Sequence, residues 1–305
     1  MSARRRLEAL CSALDAEAAR HGTPASGSTA ERREFRVEEI WASTLMAGSK
    51  LTLTEVAALV DRGIASGDKP LEDYVMVADY AAAAAWVASA PPAGRRRIYL
   101  RLEEIVTLHA RVVARASSAR PGAWRRTSAP AFPSGMVPPP AWLVPREMDA
   151  FIDRFAAGPA AGTHSIRWVA GAHERFTRIH PFERGNGRTA RLLTNLLLQR
   201  AGYPPCIMRP RNARAYLAAL QRADSRDPQP LAIVLAASVL EGFGRLRAGS
   251  SGPGALRPLT TLATGRERAA LYKAAQRGRL RTLRRSGTLY TSETWIAEYT
   301  ETRHR

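Results

Sequence analysis

The chain is short of several things at once. It has two cysteines, Cys11 and Cys206, in 305 residues. Two distant thiols cannot build a disulfide framework and lack the paired spacing of a thiolate metal site, so a reduced, cytoplasmic protein is expected. Aromatic residues make up only 7%, and no stretch reaches the roughly 18 consecutive apolar residues of a membrane span. The first twenty residues carry arginines, but acidic side chains interrupt their apolar stripe, so a secretory leader is not expected. Acids are scarce: 27 Asp+Glu stand against 46 Lys+Arg, a formal charge of +19. That balance suits an acidic partner such as nucleic acid, and equally an arginine-rich solvated surface.

What the chain has in plenty is alanine and leucine at helical spacing, with 45% hydrophobic residues, enough for a sizeable core. Helices are predicted over residues 30–45, 51–62, 72–89, 97–115, 146–157, 165–179, 189–200, 213–223 and 230–246. Thr52 (or Thr54) reads as a cap ahead of Glu55. Between 117 and 145, Pro and Ser crowd in and Pro138-Pro139-Pro140 excludes a helix, predicting a long loop or short hairpin. Residues 1–30 read as a helix and loop, 31–247 as the core, and 248–258 as a flexible linker. Residues 259–305 form a separate basic unit, with a strand at Thr288–Thr291 and a helix from Ser292.

The passage richest in chemistry is His180-Pro-Phe-Glu-Arg-Gly-Asn-Gly-Arg-Thr-Ala-Arg191. Pro181 disfavours helical geometry at His180, so the preceding helix should end there. Gly185 and Gly187 supply turn dihedrals and allow close backbone approach to a ligand. A helix starting at once aims its free amides and positive dipole end at the same place, which makes an anion cradle. Arg188 and Arg191, three apart, are expected to reach one anion from one side of that helix. An imidazole beside it can take a proton near neutral pH. These are the parts that phosphoryl-type transfer needs.

HPFERGNGRTAR resembles the signature of the Fic family, His-x-Phe-x-Asp/Glu-Gly-Asn-Gly/Lys-Arg-x-x-Arg, and the likeness extends over about residues 30–245. The resemblance implies an all-α Fic core with a small β-hairpin flap at 125–140 and the signature loop at 180–191. By position, His180 matches the base that deprotonates a target hydroxyl, and Phe182 an inward anchor. Gly185, Asn186 and Gly187 match the anion nest, with Asn186 reaching the α-phosphate. Arg188 and Arg191 match the arginines that hold the β- and γ-phosphates. The implied reaction is transfer of AMP, or another nucleoside monophosphate, from ATP or another triphosphate to Ser, Thr or Tyr of a protein docked on the flap.

Two departures qualify that pattern. Arg184 occupies the slot of the acid that would hold Mg²⁺, and the acid stands one place early, at Glu183; this leaves open whether Mg²⁺ serves here and whether transfer survives. Residues 43–48, Ser43-Thr-Leu-Met-Ala47-Gly48, resemble the family's inhibitory helix, but Ala47 replaces its Glu, so Arg191 is expected to be free for phosphate. The C-terminal unit resembles small winged-helix or excisionase-like modules, which would put Arg279, Arg281, Arg284 and Arg285 on DNA phosphates. The alternatives kept open are a catalytically impaired scaffold that binds nucleotide or partner protein, a DNA-binding regulator, and a C-terminal module that supports the core or joins it in a homo-oligomer.

Overall fold

The structure is a computed structural model describing residues 2–21, 29–65, 67–90, 99–116, 120–224, 227–246, 256–285 and 287–303. Most of the 248–258 segment, the Pro91–Gly94 break and Ser286 lie outside the described residues.

Among the described residues ten α-helices come first: α1 Ala3–His21, α2 Thr29–Leu45, α3 Leu53–Arg62, α4 Leu71–Ser89, α5 Leu102–Val112, α6 Val144–Phe155, α7 Ser165–Ile179, α8 Asn186–Arg200, α9 Pro210–Asp224 and α10 Gln229–Leu246. The chain divides into two compact units. The first takes α1, α2 from Arg36, and everything up to Leu240. Its centre is α8, buried along nearly its whole length and packed against α4, α5 and α7. The helix predicted over 189–200 is confirmed and starts three residues earlier, at Asn186, with Thr194 and Asn195 buried among its leucines.

Local chemistry sets several boundaries. α3 starts at a capping box in which Thr52 Oγ1 accepts from Glu55 N–H and Glu55 accepts from Thr52 N–H, and it ends on left-handed Gly63. α9 begins at Pro210, three residues before the predicted start, because proline's missing N–H is no loss in a first turn. α5 is shorter than the predicted 97–115, ending at Val112 before a turn.

The segment expected to be a β-hairpin flap has no strand among its described residues. It closes as a tight turn, Phe132 N–H donating to Met136 O (2.8 Å) and Gly135 N–H to Phe132 O (2.8 Å). Pro130, Pro133 and Pro138–Pro140 remove the donors that a ladder would need.

The second unit holds α2 up to Phe35, α10 from Glu241, and the C-terminal residues. Strand β1 (Arg257–Pro258) leads through α11 (Leu259–Leu262) and α12 (Gly265–Gln276) into β2 (Leu283–Arg285), β3 (Thr288–Thr291) and α13 (Glu293–Arg303). The strands pair antiparallel in the order β1-β3-β2. Leu259, Leu271, Leu280 and Leu289 form its buried core, with Trp295 and Ile296 of α13 packed on it.

Candidate active site

Pro181 ends α7 as expected, and His180 takes the left-handed conformation (φ 49, ψ 58), the only non-glycine among the described residues with positive φ. Such a conformation costs about 1–3 kcal/mol and persists only where neighbours enforce it. The enforcing residue is Arg125, which is 3% exposed. Its guanidinium donates to the carbonyls of His180 (2.8 Å), Thr127 (2.9 Å), Ile179 (3.4 Å) and Pro139, and its backbone N–H to Pro181 O (2.9 Å). One buried cation thus joins both arms of the 125–140 turn to the residue that carries the imidazole. Burial pushes the Arg125 pKa down.

The loop after His180 rests on α5. Phe182 is fully buried and stacks on His109 with ring centroids 3.5 Å apart. His109 Nδ1 accepts from Gly122 N–H (3.1 Å) and Nε2 lies 3.0 Å from the Arg184 carbonyl. An amide only donates and a carbonyl only accepts, so the ring is neutral with its proton on Nε2. Burial pushes its pKa down to about 4, consistent with that state. Gly185 turns the chain at φ 79, and a Cβ there would sit 2.9 Å from Val113 Cγ1. Gly187 differs from expectation: it lies inside α8 without positive φ, and its missing side chain makes room for Arg191, whose Nη1 would be 3.3 Å from a Cβ.

Asn186 is buried, its Oδ1 accepting from Phe182 N–H (2.9 Å) and its Nδ2 donating to Phe182 O (2.6 Å). The side chain ties the loop together, and only the second amide N–H is left for the phosphate role. Arg188 donates to Val112 O (3.0 Å) and faces Asp79; burial, with the nearby Arg191 charge, brings its pKa down to about 10.

Arg191 is not free. Its Nε donates to Ser43 Oγ (2.7 Å) and its Nη2 to Ser43 O (2.7 Å). Nearby, the Tyr80 hydroxyl donates to Glu39 Oε1 (2.5 Å). Burial pushes the Glu39 carboxyl up to about 7. Arg191, Gly187 and His180 share one cavity of about 270 Å³, lined also by Met46, Phe132 of the turn and Tyr216 of α9. Burial pushes the His180 pKa down, helped by the Arg125 charge and opposed by the Thr177 backbone, so the imidazole is neutral at pH 7 and ready to accept a proton.

A divalent ion does not fit these residues. The cavity lining contains no carboxylate, Glu183 and Arg184 are exposed, and Glu183 Oε1 instead accepts from Arg126 N–H (3.4 Å). Ser43 meets Arg191, expected from the sequence to stand free, whereas Ala47 and Gly48 are exposed. In the C-terminal unit Arg279 and Arg284 are exposed. Arg281 lies over the Trp295 ring (5.1 Å) and 3.8 Å from Glu298, and the Arg285 side chain lies outside what is described. No helix among the described residues is long and apolar enough to cross a membrane.

Sequence reasoning did not single out Arg125, His109 or Glu39. Their partners lie far along the chain, and the only local signal was the histidine and acid content of otherwise apolar helices.

Comparison with known proteins agrees with this geometry. The sequence profile of the Fic/DOC family matches residues 99–198. The protein adenylyltransferase Fic of Nematostella vectensis is 31% identical over 198 residues, 65% of this chain and 45% of that protein. That of Culex quinquefasciatus is 28% identical over 230 residues, 74% of this chain and 44% of its own length. The chain thus spans less than half the length of these curated relatives. Among solved structures, Fic-1 (aa134–508) from C. elegans superimposes with a TM-score of 0.69 at 25% identity, covering 80% of this chain and 71% of that one. A Fic domain containing signaling protein from Bacteroides thetaiotaomicron gives 0.67 at 21% identity over 81% of this chain and 98% of its own, a likeness of fold. Residues 99–198 thus carry the match to the Fic/DOC family, and the chain is similar in sequence to protein adenylyltransferases Fic and in fold to Fic-1.

Proposed function

We propose that the chain transfers a nucleoside monophosphate, AMP in the leading reading, from a nucleoside triphosphate to a Ser, Thr or Tyr hydroxyl of a protein. The observation that carries this is the convergence on one cavity of a neutral imidazole, His180, the amino end of α8 and the Arg191 guanidinium. The triphosphate binds with its phosphates at the helix start and Arg191, where amides and cation oppose its charge. His180 takes the proton of the incoming hydroxyl, whose oxygen bonds to the α-phosphorus. The bond from that phosphorus to the bridging oxygen breaks, and pyrophosphate leaves. The target lies along the Thr127–Pro139 turn, whose Phe132 ring meets His180 edge-on at 5.2 Å. No step is assigned to a metal.

Intact-mass spectrometry of the chain incubated with ATP and Mg²⁺, beside His180→Ala, tests the reading without a known target. An adduct of one nucleoside monophosphate, absent from the His180→Ala protein, supports it. A wild-type chain left unmodified by every common nucleotide favours the rival reading, a nucleotide-binding scaffold, which the carboxylate-free cavity also supports.

A second reading concerns the C-terminal unit, as a winged-helix module on duplex DNA. Two helices between β1 and a β2–β3 hairpin are the order such a module needs. Residues 265–285 hold eight Lys+Arg and one acid, Glu267, whereas Glu293 and Glu298 lie on α13. Binding by phosphate contacts would weaken steeply with salt. Full-length chain whose DNA affinity ignores salt, or ignores Arg279→Ala with Arg284→Ala, would discard this reading.

A further inference from the structure

Tyr216 lines the cavity together with Arg191 and begins a chain of hydrogen bonds through α7 and α8. His173, on α7, is 2% exposed and lies between two hydroxyls: Nδ1 is 2.7 Å from Thr194 Oγ1, and Nε2 is 2.8 Å from the Tyr216 hydroxyl. Thr194 has one proton, and it donates that proton to the Ala190 carbonyl at 2.9 Å. The threonine oxygen can then only accept from the ring, so His173 carries its proton on Nδ1. Burial pushes the His173 pKa down to about 3, and Arg191 pushes the same way, so the ring is neutral and Nε2 is a bare acceptor. Tyr216 must therefore donate its only proton to His173. Its oxygen is left as an acceptor beside Arg191, which lines the same cavity.

We infer that His173 is a positioning residue of the nucleotide site, acting through Tyr216 to set the Arg191 guanidinium in the cavity. The chain reads Tyr216 to His173 to Thr194 to the Ala190 carbonyl, each link donating to the next, which leaves the Tyr216 oxygen to accept from the neighbouring cation. Without an acceptor at His173 Nε2, the tyrosine hydroxyl would be free to turn its proton toward the cation and repel it. Ser43 holds Nε and Nη2 from the side of α2, and the Tyr216 oxygen offers an acceptor from α9 in the lining of the same cavity. Tyr216 also lines the cavity, whereas His173 is buried behind it. His173 therefore influences ligand without touching it, and the same bonds hold α7, α8 and α9 in register. This role rests on the nucleotide-transfer reading of the same cavity.

The test compares ATP and ADP binding by calorimetry in full-length wild type, Tyr216→Phe, His173→Leu, their double variant and His173→Gln. A glutamine amide can still donate to Thr194 and accept from Tyr216. One hydrogen bond to a charged group predicts a loss of about tenfold or more in affinity for Tyr216→Phe and for His173→Leu. The double variant should lose no more than Tyr216→Phe alone, since both break one chain. His173→Gln should stay within about threefold of wild type. Where transfer is measurable, KM should rise with kcat little changed. Losses that add in the double variant, or wild-type affinity in His173→Leu, would overturn the inference. So that the question survives variants that fail to fold, ¹⁵N NMR of the wild-type chain reads the His173 ring directly: a protonated Nδ1 supports the chain of donors, and a protonated Nε2 reverses it and sinks the proposal. Wild type that binds neither ATP nor ADP would overturn the nucleotide reading itself, and with it the positioning role of His173, whatever the ring's tautomer.

Discussion

Arg191 and Ser43 stand 148 residues apart in sequence and share two hydrogen bonds of 2.7 Å, from Nε to the hydroxyl and from Nη2 to the backbone carbonyl. That carbonyl belongs to the last turn of α2, where helix carbonyls lack intrahelical partners and the dipole presents negative charge. The end of α2 thus meets the arginine although the sequence has Ala47 where an acid would pair with it. This contact carries no net charge, so it orients the guanidinium without cancelling its attraction for phosphate.

Adding the acid should convert orientation into inhibition. Ala47→Glu brings a carboxylate to the turn that follows Met46, which lines the cavity. An anion beside Arg191 competes with phosphate, and we expect ATP affinity to fall by about tenfold or more, in line with a few kcal/mol for a close charge pair at partial burial. Calorimetric titration of ATP into the variant decides it. Wild-type affinity would mean that the Glu side chain points into solvent, as Ala47 itself does.

The metal position can be restored independently. Arg184→Asp puts a carboxylate on the loop whose neighbours now offer none to the cavity. The variant should gain self-modification that chelator abolishes, whereas any wild-type modification should depend less on divalent ion. Mass spectra with and without EDTA measure both. An Arg184→Asp protein that stays inert in Mg²⁺ would show that the loss involves more than one side chain.

Arg125 should matter to folding and to chemistry together. Arg125→Met keeps much of the volume but leaves the His180, Pro139 and Thr127 carbonyls without their donor. Each buried unpaired group costs about 1–3 kcal/mol, so a loss of about 3 kcal/mol or more in unfolding free energy is expected from urea titration. The His180 backbone would then relax from its left-handed conformation, and transfer should fall further than nucleotide binding does. A variant of wild-type stability would show that water replaces the guanidinium at little cost.

Acid stability follows from buried groups of opposite sign. His109 and His173 have folded pKa values pushed down to about 4 and about 3, from an ordinary value of 6.5. The unfolded chain therefore takes up two protons that the folded chain refuses, and stability falls as pH drops below about 6.5. Glu39 acts the other way: pushed up to about 7 from 4.5, it binds its proton earlier in the folded chain and gains stability as pH falls from about 7 to 4.5. From these groups the net loss between pH 6 and 5 is that of one histidine, about 1.4 kcal/mol per pH unit. Glu39→Gln removes the opposing contribution and should roughly double the slope. Urea titrations at pH 5, 6 and 7 measure it, and a variant with an unchanged slope would refute the assignment to Glu39.

Much of the site is legible without coordinates. Proline after His180 ends the helix for a local steric reason, and glycine at 185 turns the chain because no side chain fits at positive φ. The Thr52–Glu55 capping box and the helical periods are likewise local, so short-range rules find them. The flap illustrates a limit: a resemblance suggested a hairpin, while five prolines between 130 and 140 already argued against a ladder.

By itself, then, the sequence determined where the helices break and which twelve residues could make an anion cradle beside a base, because those properties depend on neighbours within one or two turns. Only the tertiary structure decided what each side chain does. Asn186 turned back onto Phe182, Gly187 became space for a guanidinium, and Arg191 met Ser43 instead of standing free. Arg125, His109 and His173 found partners 55, 75 and 43 residues away. Such pairings have no period to read: they arise when separate helices close around buried polar atoms that must each find a partner, and the packing chooses which one.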